Sequence, residues 1–259
     1  MIGDIETCYA VVGSGPPVVL LHGLAEDHSS WLPVLDGLRG RTLHAVDLRG
    51  HGRTTLGAAE GTTDQLATDL IGFLEIVTGP AVVIGYSLGG SIGLLAAAER
   101  PDLVAGLIVI ATSSVVGRAA ADFFGGRIEQ IEQGNMDEFA VGLRDDTAMQ
   151  VLTDVDLDAL VATRLAAVGS GGGYVNAARA MMAMREDPVH HRLAEITDHV
   201  DVVMADGDVF CPPRAGQMIV DALPDASYHQ VDDAGHLITI DQPGLLVSLL
   251  DRLIDGTST

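Results

Sequence analysis

Short runs of β-branched and aliphatic residues alternate along this chain with longer stretches of helical periodicity. That alternation restricts the fold more than any other feature. Residues 8–12, 18–21, 43–46, 81–84, 107–111, 200–205 and 227–231 read as strands. Two of them, Val18-Val-Leu-Leu21 and Ala81-Val-Val-Ile84, are continuously apolar, as strands buried on both faces are. Helical spacing marks residues 31–38, 62–78, 88–100 and 243–254. In the second of these, Leu66, Leu70, Phe73, Leu74 and Val77 recur at helical intervals, with Thr63 as the expected cap. The pattern predicts an α/β fold, a mostly parallel, doubly wound sheet with helices on both faces.

Residues 113–191 break the rhythm. They hold helical patterns without a strong strand and are interrupted by Gly169-Ser-Gly-Gly-Gly173. Phe123, Phe124, Phe139, Met149 and the cluster Met181-Met182-Ala-Met184 fall within them. The expectation is a single domain, with a core of residues 1–112 and 192–259 and a helical insertion, 113–191, between two strands. A chain of 259 residues that is 47% hydrophobic can build such a core, but at 4% aromatic it must do so from Val, Leu, Ile and Ala.

Charge narrows the partners. Thirty-six acidic residues face 14 basic ones, all arginine, for a formal net charge of −22. Such a field repels phosphate backbones and anionic lipid, which argues against nucleic-acid and membrane-surface roles. It discourages anionic substrates too, although local arginines can override it. An excess of Asp with no lysine fits a salt-rich habitat and a GC-rich coding sequence equally well. Cys8 and Cys211 lie far apart and match no metal spacing, so they read as reduced thiols. The first residues lack the basic and apolar regions of a signal peptide, and no apolar run has the length of a membrane span. A cytoplasmic location is expected. No metal or organic cofactor is implied, and nothing indicates an oligomeric state.

The chemistry centres on Gly85-Tyr-Ser-Leu-Gly89, between an expected strand and an expected helix. A serine hydroxyl is a weak nucleophile and must reach both a base and amides that can receive an oxyanion. A sharp strand-to-helix turn meets both needs, and glycines two residues either side relieve its crowding. The five-residue pattern is weak alone; its position gives it meaning. The base should be His236, in Asp233-Ala-Gly-His-Leu237, after the last strand and before the final helix. The orienting acid should stand at another strand end. Asp208 is favoured because Pro212 follows where a turn can hold its carboxylate; Asp206 is the alternative. Oxyanion donors are expected from the backbone N–H of Leu88 and, in His22-Gly23-Leu24, that of Leu24. His22 reads as a structural hydrogen-bonder. Phe123, Phe124, Met181, Met182 and Phe210 are candidates for an apolar substrate pocket, with core filling an equal reading for the methionines.

Together these pieces resemble the α/β-hydrolase family over nearly the entire chain. The resemblance rests on His22-Gly23, Trp31, Asp47-Leu-Arg-Gly-His-Gly-Arg53, Gly85-Tyr-Ser-Leu-Gly89, Gly207-Asp208 with Pro212, and Gly235-His236 with Asp241 and Pro243. It implies Ser87 as nucleophile, Asp208 as acid and His236 as base, with residues 113–191 as a cap over the site. His51 is assigned no chemistry. Size and layout are similar to small esterases and enol-lactonases, including 3-oxoadipate enol-lactonase-like proteins. Ser91 stands where the menaquinone-pathway synthase of this fold has an arginine. A serine at position 87 argues against the haloalkane dehalogenase and epoxide hydrolase branches, which need a carboxylate there. The expected activity is cleavage of a carboxylic ester or lactone of a small, largely apolar molecule through an acyl-enzyme. A C–C bond hydrolase of vinylogous diketones and a slow-turnover ligand sensor are the alternatives.

Overall fold

The computed structural model of the protein describes residues 1–256. Seven strands form one sheet: β1 (Tyr9–Gly13), β2 (Pro17–Leu21), β3 (Thr42–Val46), β4 (Ala81–Tyr86), β5 (Val104–Ile110), β6 (Val200–Ala205) and β7 (Ala226–Val231). Their spatial order is β1-β3-β2-β4-β5-β6-β7, with β1 antiparallel to β3 and every other pairing parallel. Strand side chains alternate in direction, so β2 sends Val19 and Leu21 to one face and Val18 and Leu20 to the other. Both faces are therefore cores. One lies under α2 (Thr63–Phe73), α3 (Leu88–Glu99) and α8 (Pro213–Ala222), the other under α1 (Leu32–Leu35) and α10 (Pro243–Gly256). Fully burying one such Leu or Ile contributes about 1.5–3 kcal/mol, which explains the unbroken apolar runs of the central strands.

Four helices separate β5 from β6: α4 (Arg118–Glu132), α5 (Met136–Gln150), α6 (Leu157–Val168) and α7 (Gly172–Ala183). They pack mainly on one another, α4 on α7 and α5 on α6. A short helix, α9 (Ile238–Asp241), precedes α10. Among the described residues no helix is long and apolar enough to cross a membrane.

Some local expectations are corrected. Thr62, not Thr63, caps α2; its hydroxyl oxygen accepts from Gln65 N at 3.2 Å, which requires the extended backbone that Thr62 has and a helical residue lacks. The last turn of that helical stretch widens into a π-type turn, Leu74–Thr78, ended by Gly79 at φ +70°. Residues 31–38 yield only the end of a 3₁₀ turn, His28–Trp31, and the four residues of α1. Apolar spacing there reflects burial of Trp31, Val34, Leu35 and Leu38 and not a long helix.

Candidate active site

Ser87 occupies the turn from β4 into α3 with φ +51° and ψ −115°, a conformation that costs a non-glycine residue about 1–3 kcal/mol. The surrounding backbone holds it there. Ser87 N donates to Ile110 O at 2.8 Å, and the Thr112 hydroxyl donates to Ser87 O. A Cβ on Gly85 would run into Gly89 O, and one on Gly89 would stand 2.5 Å from Leu21 O. The glycines flanking the serine are thus required by backbone crowding on both sides.

His236 lies in the loop after β7, at the same sheet edge. Its Nε2 is 3.1 Å from Ser87 Oγ and its Nδ1 is 2.7 Å from Asp208 Oδ2. An ionised carboxylate only accepts, so Nδ1–H donates to Asp208 and Nε2 is left to accept from the serine hydroxyl. Asp208 is fixed in turn by the N–H groups of Phe210 and Cys211, which donate to Oδ1 at 2.8 and 2.9 Å. The alternative acid, Asp206, is exposed and accepts from Ala234 N at 3.4 Å, away from the imidazole.

Two further groups set the histidine loop. The Tyr86 hydroxyl donates to His236 O at 2.5 Å. Asp241, only 7% exposed, accepts from Gly235 N at 2.8 Å and also from Leu152 N, Thr153 N and the Thr153 hydroxyl just beyond α5. Sequence reasoning assigned neither a place in the site; the spacing of Asp241 from His236 was the available signal.

Across from Ser87, Gly23 approaches so closely that a Cβ on it would lie 3.2 Å from Ser87 Cβ. The Gly23 N–H is committed to Glu26 Oε2 at 3.0 Å. The N–H groups of Leu24 and Leu88 have no acceptor among the described residues. His22 holds this loop: Nδ1–H donates to Gly23 O at 2.7 Å and Nε2 accepts from Leu48 N at 2.9 Å. Burial lowers its pKa, and burial with His22 alongside pushes His51 down to about 3, so both rings stay neutral. The Cys211 thiol, buried beside Asp208, is pushed well up and is a poor nucleophile. Asp208, Cys211 and His236 bring possible metal-ligand atoms within 4.8 Å of one another, as do Asp27, His28 and Asp47. The Asp208–His236 and His28–Asp47 hydrogen bonds account for most of that proximity.

A cavity of about 640 Å³ opens above Ser87 and His236, between the sheet edge and the four inserted helices. Phe123, Phe124, Met181 and Phe210 line it; Met182 does not. Consecutive residues on a helix point about 100° apart, and Met182 turns toward Gly125 of α4, with its methyl 3.9 Å from where a Cβ there would stand. The cavity also has a polar end that the sequence reading missed, made by Glu26, Asp146, Gln150, Arg164 and Tyr174. An arginine at the buried spacing of Val161, Ala167 and Val168 on α6 was the signal for it.

Residues 16–243 match the family model for the alpha/beta hydrolase fold, and the chain belongs to that family. Among curated relatives, the pimeloyl-acyl carrier protein methyl ester esterase of Aromatoleum aromaticum is 30% identical over 264 residues, spanning 93% of this chain and 99% of its own. Similar solved structures include the enol-lactonase of Burkholderia xenovorans LB400, with a TM-score of 0.85, 22% identity and 98% of both chains covered. A thermophilic esterase from Thermogutta terrifontis has a TM-score of 0.84 at 23% identity, covering 98% of this chain and 95% of its own.

Proposed function

We propose that this chain is a serine hydrolase that cleaves carboxylic esters or lactones of small molecules through an acyl-enzyme. The observation that carries the reading is the continuous relay Ser87–His236–Asp208, with links of 3.1 and 2.7 Å, opening onto the cavity. Ser87 Oγ attacks the substrate carbonyl carbon while His236 Nε2 takes its proton. The negative oxygen that forms is held by the Leu24 and Leu88 amides, the second at the positive end of α3. His236 then gives its proton to the leaving alcohol, and a water deprotonated by the same ring releases the acid. Residues 113–191 serve as a cap that shields this chemistry from solvent and selects the acyl group. The esterase and enol-lactonase neighbours support an acyl-transfer activity of this kind.

The test is a panel of short p-nitrophenyl esters and lactones, run beside labelling with a fluorophosphonate. Turnover and labelling that both disappear in Ser87→Ala are the expected result. Labelling without turnover would transfer the reading to C–C bond hydrolysis or ligand sensing. Absence of both would show that the relay does not act as a nucleophile.

A further inference from the structure

Three arginines are buried among the described residues, and they differ in what faces them. Arg41 meets Asp251 and Asp255, each at 2.5 Å. Arg49 meets Asp4 at 2.8 Å and Asp69 at 2.6 Å. Arg164, 6% exposed and bordering the cavity, has no carboxylate partner among the described residues. Its hydrogen bonds go to neutral oxygens. Nη1 donates to Thr147 Oγ1 at 3.1 Å and to Gln150 Oε1, Nη2 to Leu24 O at 3.3 Å, and Nε to Ala25 O at 3.5 Å.

A guanidinium has five N–H donors, so one Nη2 hydrogen is left without an acceptor. Gln150 Nε2 and the Tyr174 hydroxyl, on side chains lining the same end of the cavity, are likewise unspent. Two carboxylates line the same end without touching the guanidinium: Asp146 pairs directly with Arg127 and acts on Arg164 only through space, and Glu26 accepts from the Gly23 amide, so neither is in contact with Arg164. Stripping water from a cation is costly unless a counter-charge replaces it.

We propose that the substrate supplies that charge: the acyl group transferred to Ser87 ends in a carboxylate that seats against Arg164, with Gln150 and Tyr174 as further donors. This rests on the ester-hydrolase reading. The acyl side is the one assigned because the leaving group must sit beside His236 Nε2 to take its proton, whereas Arg164 is bonded to the opposite, Leu24 loop. The Leu24 amide would hold the oxyanion and the Leu24 carbonyl holds Nη2 at 3.3 Å, so scissile carbonyl and guanidinium lie within roughly 10 Å. An acyl chain of about four to six carbons spans that gap. Charge-assisted hydrogen bonds from a forked guanidinium suit a carboxylate better than a neutral amide.

The experiment compares monomethyl glutarate with the methyl ester of glutaramic acid, its uncharged counterpart, by methanol release in the wild type, Ser87→Ala, Arg164→Gln and Arg164→Lys. The expected result is a preference in kcat/KM for the carboxylate of at least about tenfold. That ratio should collapse in Arg164→Gln and fall by less in Arg164→Lys, which keeps the charge without the fork. Equal or reversed preference in the wild type overturns the proposal, even if Arg164→Gln does not fold. So does a ratio that survives Arg164→Gln while both rates fall together, which would make Arg164 a strap for the Leu24 loop. Failure of the wild type to cleave either ester while it turns over p-nitrophenyl esters overturns the proposal alone; no turnover of any ester, or undiminished cleavage by Ser87→Ala, would instead sink the hydrolase reading itself.

Discussion

The edge of the sheet around Ser87 and the four helices above it are built to different tolerances. At the edge, nearly every group is fixed by backbone. The Ser87 turn is pinned from β5 and beyond, Asp208 takes two amides, and three glycines stand where a single added carbon would strike a neighbour. In the insertion the cavity wall is mostly side chain, and Gly126 of α4 has nothing within 4 Å of where a Cβ would stand; backbone crowding returns there only where Gly173 at the start of α7 meets Gly50 O. In the proposed mechanism, chemistry is therefore entrusted to main-chain geometry, and selection of the substrate to side chains that can be exchanged.

That contrast can be broken by substitution. The largest expected loss follows Ser87→Ala or His236→Ala, on the order of 10⁵–10⁶ in kcat, with Asp208→Asn costing about 10⁴; steady-state rates on a cleaved ester measure both. Acid comes next. His51 is neutral in the fold with its pKa lowered to about 3, whereas an unfolded histidine titrates near 6.5. The unfolded chain thus binds the extra proton between these values, so stability is complete above about pH 6.5 and is lost as pH falls toward 3, at about 1.4 kcal/mol per pH unit for this group. Lowered in the same direction, His22 adds to the slope. Denaturant melts across that range should show it, flattened in His51→Gln.

Gly89→Ala should destabilise by about 1–3 kcal/mol, read as a lower melting temperature, because the new carbon meets Leu21 O and backbone cannot step aside. Phe123→Ala, in the cavity wall, should shift the preference between short and long acyl esters by about tenfold in kcat/KM with little change in melting. Smallest and opposite in sign is Gly126→Ala, expected to stabilise by about 0.5–1 kcal/mol through helix propensity. If Gly89→Ala and Gly126→Ala proved alike, the two regions would not differ as described.

Legibility in the sequence follows the same division. Ser87, Asp208 and His236 are found by reading because each stands at the end of an apolar strand run, and strand ends on one edge of a parallel sheet converge. The edge's local chemistry also writes itself into sequence as glycine and turn residues: Asp233, opening the Asp233-Ala-Gly-His236 turn, has φ +58°. The insertion leaves such a trace between helices, as in the Gly169-Ser-Gly-Gly-Gly173 turn from α6 to α7, where Gly169 and Gly171 have φ +55° and +89°. Helical periodicity says which residues are apolar but not which neighbour each meets, so Met181 and Met182 could not be separated. The polar end of the cavity escaped for a related reason: Glu26, Gln150 and Arg164 come from three separate segments and meet only in the folded chain. Helix α8, opened by Pro212-Pro213, was also passed over; its first turn follows so directly on the Asp208 turn that the two read as one loop.

The carboxylate of Asp241 has a consequence for how such proteins diversify. It binds one amide just before His236 and two just past α5, so the His236 loop and the inserted helices share a single anchor. Recombination that exchanged residues 113–191 with those of a relative would look modular on paper. Here a donor segment without main-chain N–H groups at the places of Leu152 and Thr153 would strand a buried anion and loosen the ring proposed to move the proton. New specificities in this lineage should accordingly accumulate as point changes inside the inserted helices more readily than as replacements of them.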